Sequence, residues 1–201
     1  DGNNSEVALN GGGTLKVGAN GIALGTKGGK ITANAATTVE VDGAKGLGAY
    51  VENGGSIDSN FDIKVKSAEG VGVYAKGGAV TSVAKVSEIK GNKSIGYVFE
   101  NITNTVNITN SVQLTDASAT GQVGVAVKGT GLTVAGVSVV GSKNIGIYNE
   151  TTGAVTNNGA LNVADSTGDS SIGIYSQGGT VTSTGNATIG KNSVGIYGKD
   201  A

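Results

Sequence analysis

A chain of 201 residues is long enough for one or two packed cores, but this one carries 37 Gly and no Pro, Cys, Met, Trp or His, and all 14 basic residues are Lys. Without cysteine and histidine there are no disulfides, no thiolate metal sites, and no imidazole or thiolate catalysis. A net charge of −1 with scattered charges leaves no footprint for nucleic acid, and Gly with β-branched residues, Asn, Ser and Thr suits turns and short strands rather than helices.

One motif recurs along the chain: an apolar residue, Gly, usually an aliphatic residue, then Tyr. In order it reads Asn20-Gly21-Ile22-Ala23, Leu47-Gly48-Ala49-Tyr50, Val71-Gly72-Val73-Tyr74, Ile95-Gly96-Tyr97-Val98, Val123-Gly124-Val125-Ala126, Ile145-Gly146-Ile147-Tyr148, Ile172-Gly173-Ile174-Tyr175 and Val194-Gly195-Ile196-Tyr197. Its glycines are 22 to 28 residues apart, a spacing typical of solenoid repeats. A disordered segment does not hold an aliphatic pair in phase eight times.

Two further runs follow each anchor. The first includes Lys30-Ile31-Thr32, Ser56-Ile57-Asp58, Ala154-Val155-Thr156 and Thr180-Val181-Thr182; the second includes Thr38-Val39-Glu40-Val41, Phe61-Asp62-Ile63-Lys64-Val65 and Ala160-Leu161-Asn162-Val163. All alternate apolar and polar with period two, so one side of each strand faces a core. Three short strands per period imply three faces, and strands stacked about 4.8 Å apart let each coil hydrogen-bond to the next. The predicted fold is all-β, a three-sided parallel β-helix of about seven coils of 22–28 residues. On this reading residues 1–201 are a single β-helical segment of a longer repeat protein, truncated at both ends. The opening Asp1-Gly2-Asn3-Asn4 has no signal-peptide pattern.

Strict alternation places Ile172 and Ile174 inside and Gly173 and Tyr175 outside, the missing glycine side chain leaving room for the tyrosine ring. The alternative is that glycine serves only to bend or crowd the backbone. The tyrosine slot then holds Ala23, Tyr50, Tyr74, Val98, Ala126, Tyr148, Tyr175 and Tyr197. Tyr50, Tyr74, Tyr148, Tyr175 and Tyr197 are the candidate ligand-binding residues, as an exposed aromatic column; the bland reading is a self-stacking ladder that stabilises the sheet. The other irregular stretch runs from Asn101 to Thr115, inside the longest period, and is read as a corner insertion carrying recognition or as one coil with longer strands.

Phrases such as Ser171-Ile172-Gly173-Ile174-Tyr175-Ser176-Gln177-Gly178-Gly179 and Lys191-Asn192-Ser193-Val194-Gly195-Ile196-Tyr197-Gly198-Lys199 resemble the repeats of very large autotransporter passengers from the outer membranes of fusobacterial-type Gram-negative anaerobes. The resemblance spans Leu15 to Lys199. It implies a right-handed parallel β-helix, secreted through a C-terminal β-barrel that is not in this sequence and displayed as a rod at the cell surface, where many such proteins are adhesins. Expected partners are therefore host or bacterial cell-surface proteins or glycans. Open strand edges at the ends of an isolated fragment would also favour end-to-end association.

An enzyme is not expected, and neither is a cofactor or metal. Asp58 with Asp62 and Glu40 with Asp42 are the available carboxylate pairs for a polysaccharide-acting β-helix, yet their even spacing points both members of each pair to solvent. No Arg is present to clamp an acidic sugar. The turn Asp165-Ser166-Thr167-Gly168-Asp169 offers oxygen ligands but matches no calcium-loop pattern. Asn101, Asn107 and Asn186 head Asn-x-Thr sites and read as corner asparagines in left-handed conformations. An ice-binding solenoid needs flat Thr rows, and the unequal coils spoil one.

Overall fold

The computed structural model describes residues 5–150 and 152–199, which leaves the opening Asp1-Gly2-Asn3-Asn4 outside the described residues. They form 24 short strands and no helix, wound as a parallel β-solenoid of about eight turns. That is the predicted architecture with one more turn.

The first face is a continuous parallel sheet of eight strands. We number the coils by these strands: Ile22–Lys27, Leu47–Glu52, Val71–Lys76, Ile95–Glu100, Val123–Lys128, Ile145–Asn149, Ser171–Gln177 and Ser193–Lys199. All are built on the anchor motif. Strands such as Lys30–Ala33 and Leu132–Val134 make the second face, and strands such as Thr37–Val41 and Leu161–Val163 the third. In Phe61–Val65, for example, Phe61, Ile63 and Val65 are fully buried, while Asp62 and Lys64 lie on the other side of the strand.

The corners that bracket the first face turn through left-handed residues. Asn20, Lys45, Glu69, Lys93 and Lys143 precede it with φ of 58–60°, and Gly28, Asn53, Gly77 and Asn101 follow it with φ of 53–69°. Asn and Gly are favoured there because their cost in this region is small. Of the three glycosylation-like asparagines, Asn101 is such a corner; Asn107 instead lies within the strand Val106–Ile108, and Asn186 has no positive φ. A buried polar column closes the inside of the leading corner: Ser94, Gln122, Asn144 and Ser171 are each fully buried. Their side chains satisfy turn backbone that has no ladder partner, as when the Asn144 amide donates to the Ala119 and Val140 carbonyls at 3.0 and 2.7 Å.

The 28-residue period is where the stack is interrupted. The second and third faces each divide into two four-stranded sheets between the third and fourth coils, while the first face runs through. The stretch from Asn101 to Thr115 is not a bulge, because Ile102, Val106, Ile108, Val112 and Leu114 are buried in the common core. It forms one ordinary coil with short strands, Val106–Ile108 and Val112–Gln113. Across the break the Asn104 amide accepts the Val80 N–H at 2.8 Å and donates to the Val80 carbonyl at 2.9 Å, replacing a missing rung of the ladder. The space inside is filled by two aromatic rings, Tyr97 and Phe99, with centroids 6.0 Å apart.

Candidate functional site

The anchor strand does not alternate strictly. In the sixth coil Ile145 is half-buried on the outer side, Gly146 and Ile147 are both buried, Tyr148 is outward and Asn149 is inward. The ladder registers Ile145 with Ile172 and Ile147 with Ile174 and skips the glycine between them. Two consecutive inward positions are the signature of a bulge, and glycine marks the close approach of backbones there. A Cβ on Gly146 would lie 2.5 Å from the Gly173 carbonyl oxygen and 2.3 Å from Val137 Cγ1. Gly48, Gly72, Gly96, Gly124 and Gly173 meet the carbonyl of the next anchor glycine in the same way, at 2.4–2.6 Å. The expectation that Gly173 faces out beside the tyrosine, with both Ile172 and Ile174 in the core, is therefore corrected. Crowded backbone explains the glycine, and only the second aliphatic of each pair is core.

The outer side of the first face consequently carries two apolar columns. One is Ile22, Leu47, Val71, Ile95, Val123, Ile145, Ile172 and Val194, all half-buried except Ile22, which is 58% exposed. The other is the tyrosine slot, and its register corrects the first coil: Tyr50 pairs with Gly25, while Ile22 pairs with Leu47, so the slot begins with Gly25 and not Ala23. It continues Tyr50, Tyr74, Val98, Ala126, Tyr148, Tyr175, Tyr197. All five predicted tyrosines thus share one line on one face. Tyr50 and Tyr74 are tilted with centroids 5.6 Å apart; Tyr148, Tyr175 and Tyr197 stack at 5.2 and 5.5 Å. Both offset stacking and interface binding suit this arrangement.

Tyr74 donates from its hydroxyl to a Glu100 carboxylate oxygen at 2.7 Å; burial and that acceptor push its phenol up to about 12. Burial, with Glu150 and Tyr175 adding to it, also raises Tyr148 above the ordinary phenol value. Tyr97, the sixth tyrosine, is displaced one position and turns inward, 1% exposed. Its oxygen accepts the Val86 N–H at 2.7 Å and donates to the Ala84 carbonyl at 3.2 Å, and burial raises its phenol.

A third column on the same side was not read from the sequence. Two places beyond each tyrosine slot stand Lys27, Glu52, Lys76, Glu100 and Lys128 in direct register. Glu150 follows Asn149 beside Lys128, and Gln177 and Lys199 end the line. Six successive coils alternate in sign. The signal was present as the residue two after the tyrosine slot, but scattered charges look random until the coils are aligned. Opposite charges on neighbouring strands contribute roughly 0.2–1 kcal/mol each, and like charges would oppose stacking. Shallow grooves flank the small residues in the middle of the tyrosine column. One of about 330 Å³ is lined by Leu47, Val71, Tyr74, Val98 and Glu100, and one of about 120 Å³ by Val98, Ala126, Tyr148 and Glu150, among others.

The other candidates are occupied in different ways. Glu40 is paired with both Lys66 and Lys16, and Lys16 also reaches Asp42 at 3.7 Å; the Lys66 contact holds the Glu40 carboxyl below its ordinary value. Asp58 caps its own turn by accepting the Asn60 N–H at 3.0 Å. Asp62 is placed between Thr38 and Lys85 on the third face, and one of its carboxylate oxygens is buried rather than presented to solvent. Asp165 accepts the Lys191 N–H at 2.7 Å and Asp169 is paired with Lys143, so the acidic turn directs its carboxylates to neighbouring coils. On the second face Thr133, Thr156 and Thr182 align over three coils only. No family model, no curated protein and no solved structure matches this chain.

Proposed function

We propose that this chain is a non-enzymatic, adhesive segment of a surface-exposed autotransporter passenger. It acts as a rod that presents the outer side of its eight-stranded sheet to host or bacterial cell-surface proteins or glycans. The observation that carries the reading is the alignment of five tyrosines and eight outward aliphatics, seven half-buried and Ile22 exposed, on one uninterrupted face, at the same place where the sequence resembles adhesin passengers. Tyrosine is enriched at binding interfaces because it offers a large apolar body and a polar tip with few rotatable bonds. Contacts repeated along a rod gain strength through multivalency even when each is weak. Glu40 and Asp42 are held in ion pairs with Lys16 and Lys66, Asp58 caps its own turn, and Asp62 has one carboxylate oxygen buried, so the binding reading stands ahead of the catalytic one.

The test is binding of the isolated segment to host and bacterial cells, with Tyr50, Tyr74, Tyr148, Tyr175 and Tyr197 all replaced by Ser. Binding is expected to fall by about tenfold or more, as for loss of tyrosine anchors at an interface, while the strand-rich circular dichroism is kept. Unchanged binding would reduce the tyrosines to a stacking ladder and remove this function from the face.

A further inference from the structure

We infer that the outer side of the first face docks onto a second copy of this chain, antiparallel, about a two-fold axis running along the strands between the third and fourth coils. This rests on the proposed use of that face for binding and names its partner.

The charge column selects the arrangement. Two sheets packed face to face by a two-fold axis along the strands overlay each column on itself and reverse the coil order. With the axis between the third and fourth coils, Lys76 faces Glu100 of the second copy, Glu52 faces Lys128, and Lys27 faces Glu150, each pair occurring twice. Among the described residues no ion pair within 4.0 Å joins these six to one another; Lys27, Lys76, Lys128 and Glu150 are exposed, and Glu52 and Glu100 are partly buried. A displacement of one coil puts Lys76 against Lys76 or Glu100 against Glu100. A two-fold axis along the rod reverses strand direction and keeps each coil opposite itself, so when it passes over the charge column it sets like charge on like charge. Charge complementarity thus excludes these alternatives.

The tyrosine column fits the same arrangement independently. Coil reversal about that axis places Tyr74 over Val98, Tyr50 over Ala126 and Tyr148 over Gly25. Each ring meets a small residue, and the grooves beside Val98 and Ala126 lie where the rings arrive. A one-coil displacement sets Tyr74 on Tyr74 or Tyr50 on Tyr148. Six strands about 4.8 Å apart, each of about six residues rising about 3.3 Å, cover roughly 500–600 Å² per copy. The total of about 1,100 Å² is at the low end for a specific contact, suited to a weak association strengthened by repetition along a rod.

Sedimentation equilibrium of the segment with two single variants decides the matter. Lys128→Glu alone places two carboxylates together at both two-fold-related positions, and Glu52→Lys alone places two ammonium groups there. Each is expected to self-associate at least about tenfold more weakly than the wild type, with circular dichroism unchanged. An equimolar mixture of the two restores both opposite-charge pairs and is expected to recover dimers. A wild type that stays monomeric, variants that associate as the wild type does, or a mixture no stronger than its components would each overturn the inference. End-to-end association through the strand edges of the terminal coils is indifferent to these charges and would give the second of those results. A monomeric wild type that still binds cells through its tyrosines would remove this inference and leave the adhesive reading standing.

Discussion

Gly146→Ala is expected to lower stability by about 3 kcal/mol, a fall of roughly 6–12 °C in the thermal midpoint for a chain of this size. The added methyl would stand 2.5 Å from the Gly173 carbonyl oxygen and 2.3 Å from Val137 Cγ1. Val137 is fully buried in a strand of the third face, and the carbonyl belongs to the next coil, so neither can withdraw without spreading the stack. Gly146 has no positive φ, hence the loss comes from contact and not from backbone strain. Gly25→Ala is the internal comparison: it also lies in a first-face strand, but a Cβ there meets nothing within 4 Å, and the change is expected to be neutral or slightly stabilising. Thermal unfolding of the two variants checks both. Equal losses would mean that the glycine ladder is not set by close backbone approach.

Tyr97→Phe is expected to cost about 1–3 kcal/mol, because the Val86 N–H and the Ala84 carbonyl would be left buried with no partner in place of the phenol oxygen. Tyr97→Ala also opens a cavity and should cost about 3–5 kcal/mol. The effect should be large here because the ring fills the core where the second and third faces are interrupted, beside Phe99. Denaturant unfolding with amide hydrogen exchange resolves the location: exchange should quicken first in the third and fourth coils. In a solenoid each coil is held chiefly by its neighbours, so a local defect is felt locally. Uniform acceleration along the chain would contradict this.

Much of the architecture was legible because stacking imposes a period. The glycine spacing and the two-residue alternation of runs such as Phe61-Asp62-Ile63-Lys64-Val65 determine the coil and its three faces. Alternation failed inside the anchor, where the bulge at Gly146 puts two successive residues inward and turns Ile145 out. A single sequence carries no local signal for that bulge beyond the glycine itself. The first coil departs from the motif for a related reason: its slot for the close-packed glycine holds Ala23, and the nearby Gly21 imitates the anchor in sequence while standing outside the strand. The long spacing of Asn101 to Thr115 leaves an insertion and a single coil both open in the sequence, and the buried Ile102, Val106, Ile108, Val112 and Leu114 decide for the coil, with short rather than long strands.

The five tyrosines were recognisable as a column because register preserves their slot, and they do share one face. Their neighbours were less visible. Aliphatic residues assigned to the core are half-exposed beside them, and charges that seem scattered along the chain become an alternating line when coils are superposed. Those two corrections enlarge the candidate surface from an aromatic ladder to a face with apolar and charged columns. They also add the charge pattern on which the two-fold inference rests.

The most direct test of the account is therefore which side of the anchor strand meets solvent. The chain contains no cysteine, so Ile145→Cys, Ile147→Cys and Tyr148→Cys can each be prepared as the sole thiol and reacted with a water-soluble maleimide under native conditions. The bulged strand predicts rapid labelling at 145 and 148 and protection at 147. Protection at 145 together with 147 would restore strict alternation and contradict the apolar outer face on which the binding proposals stand.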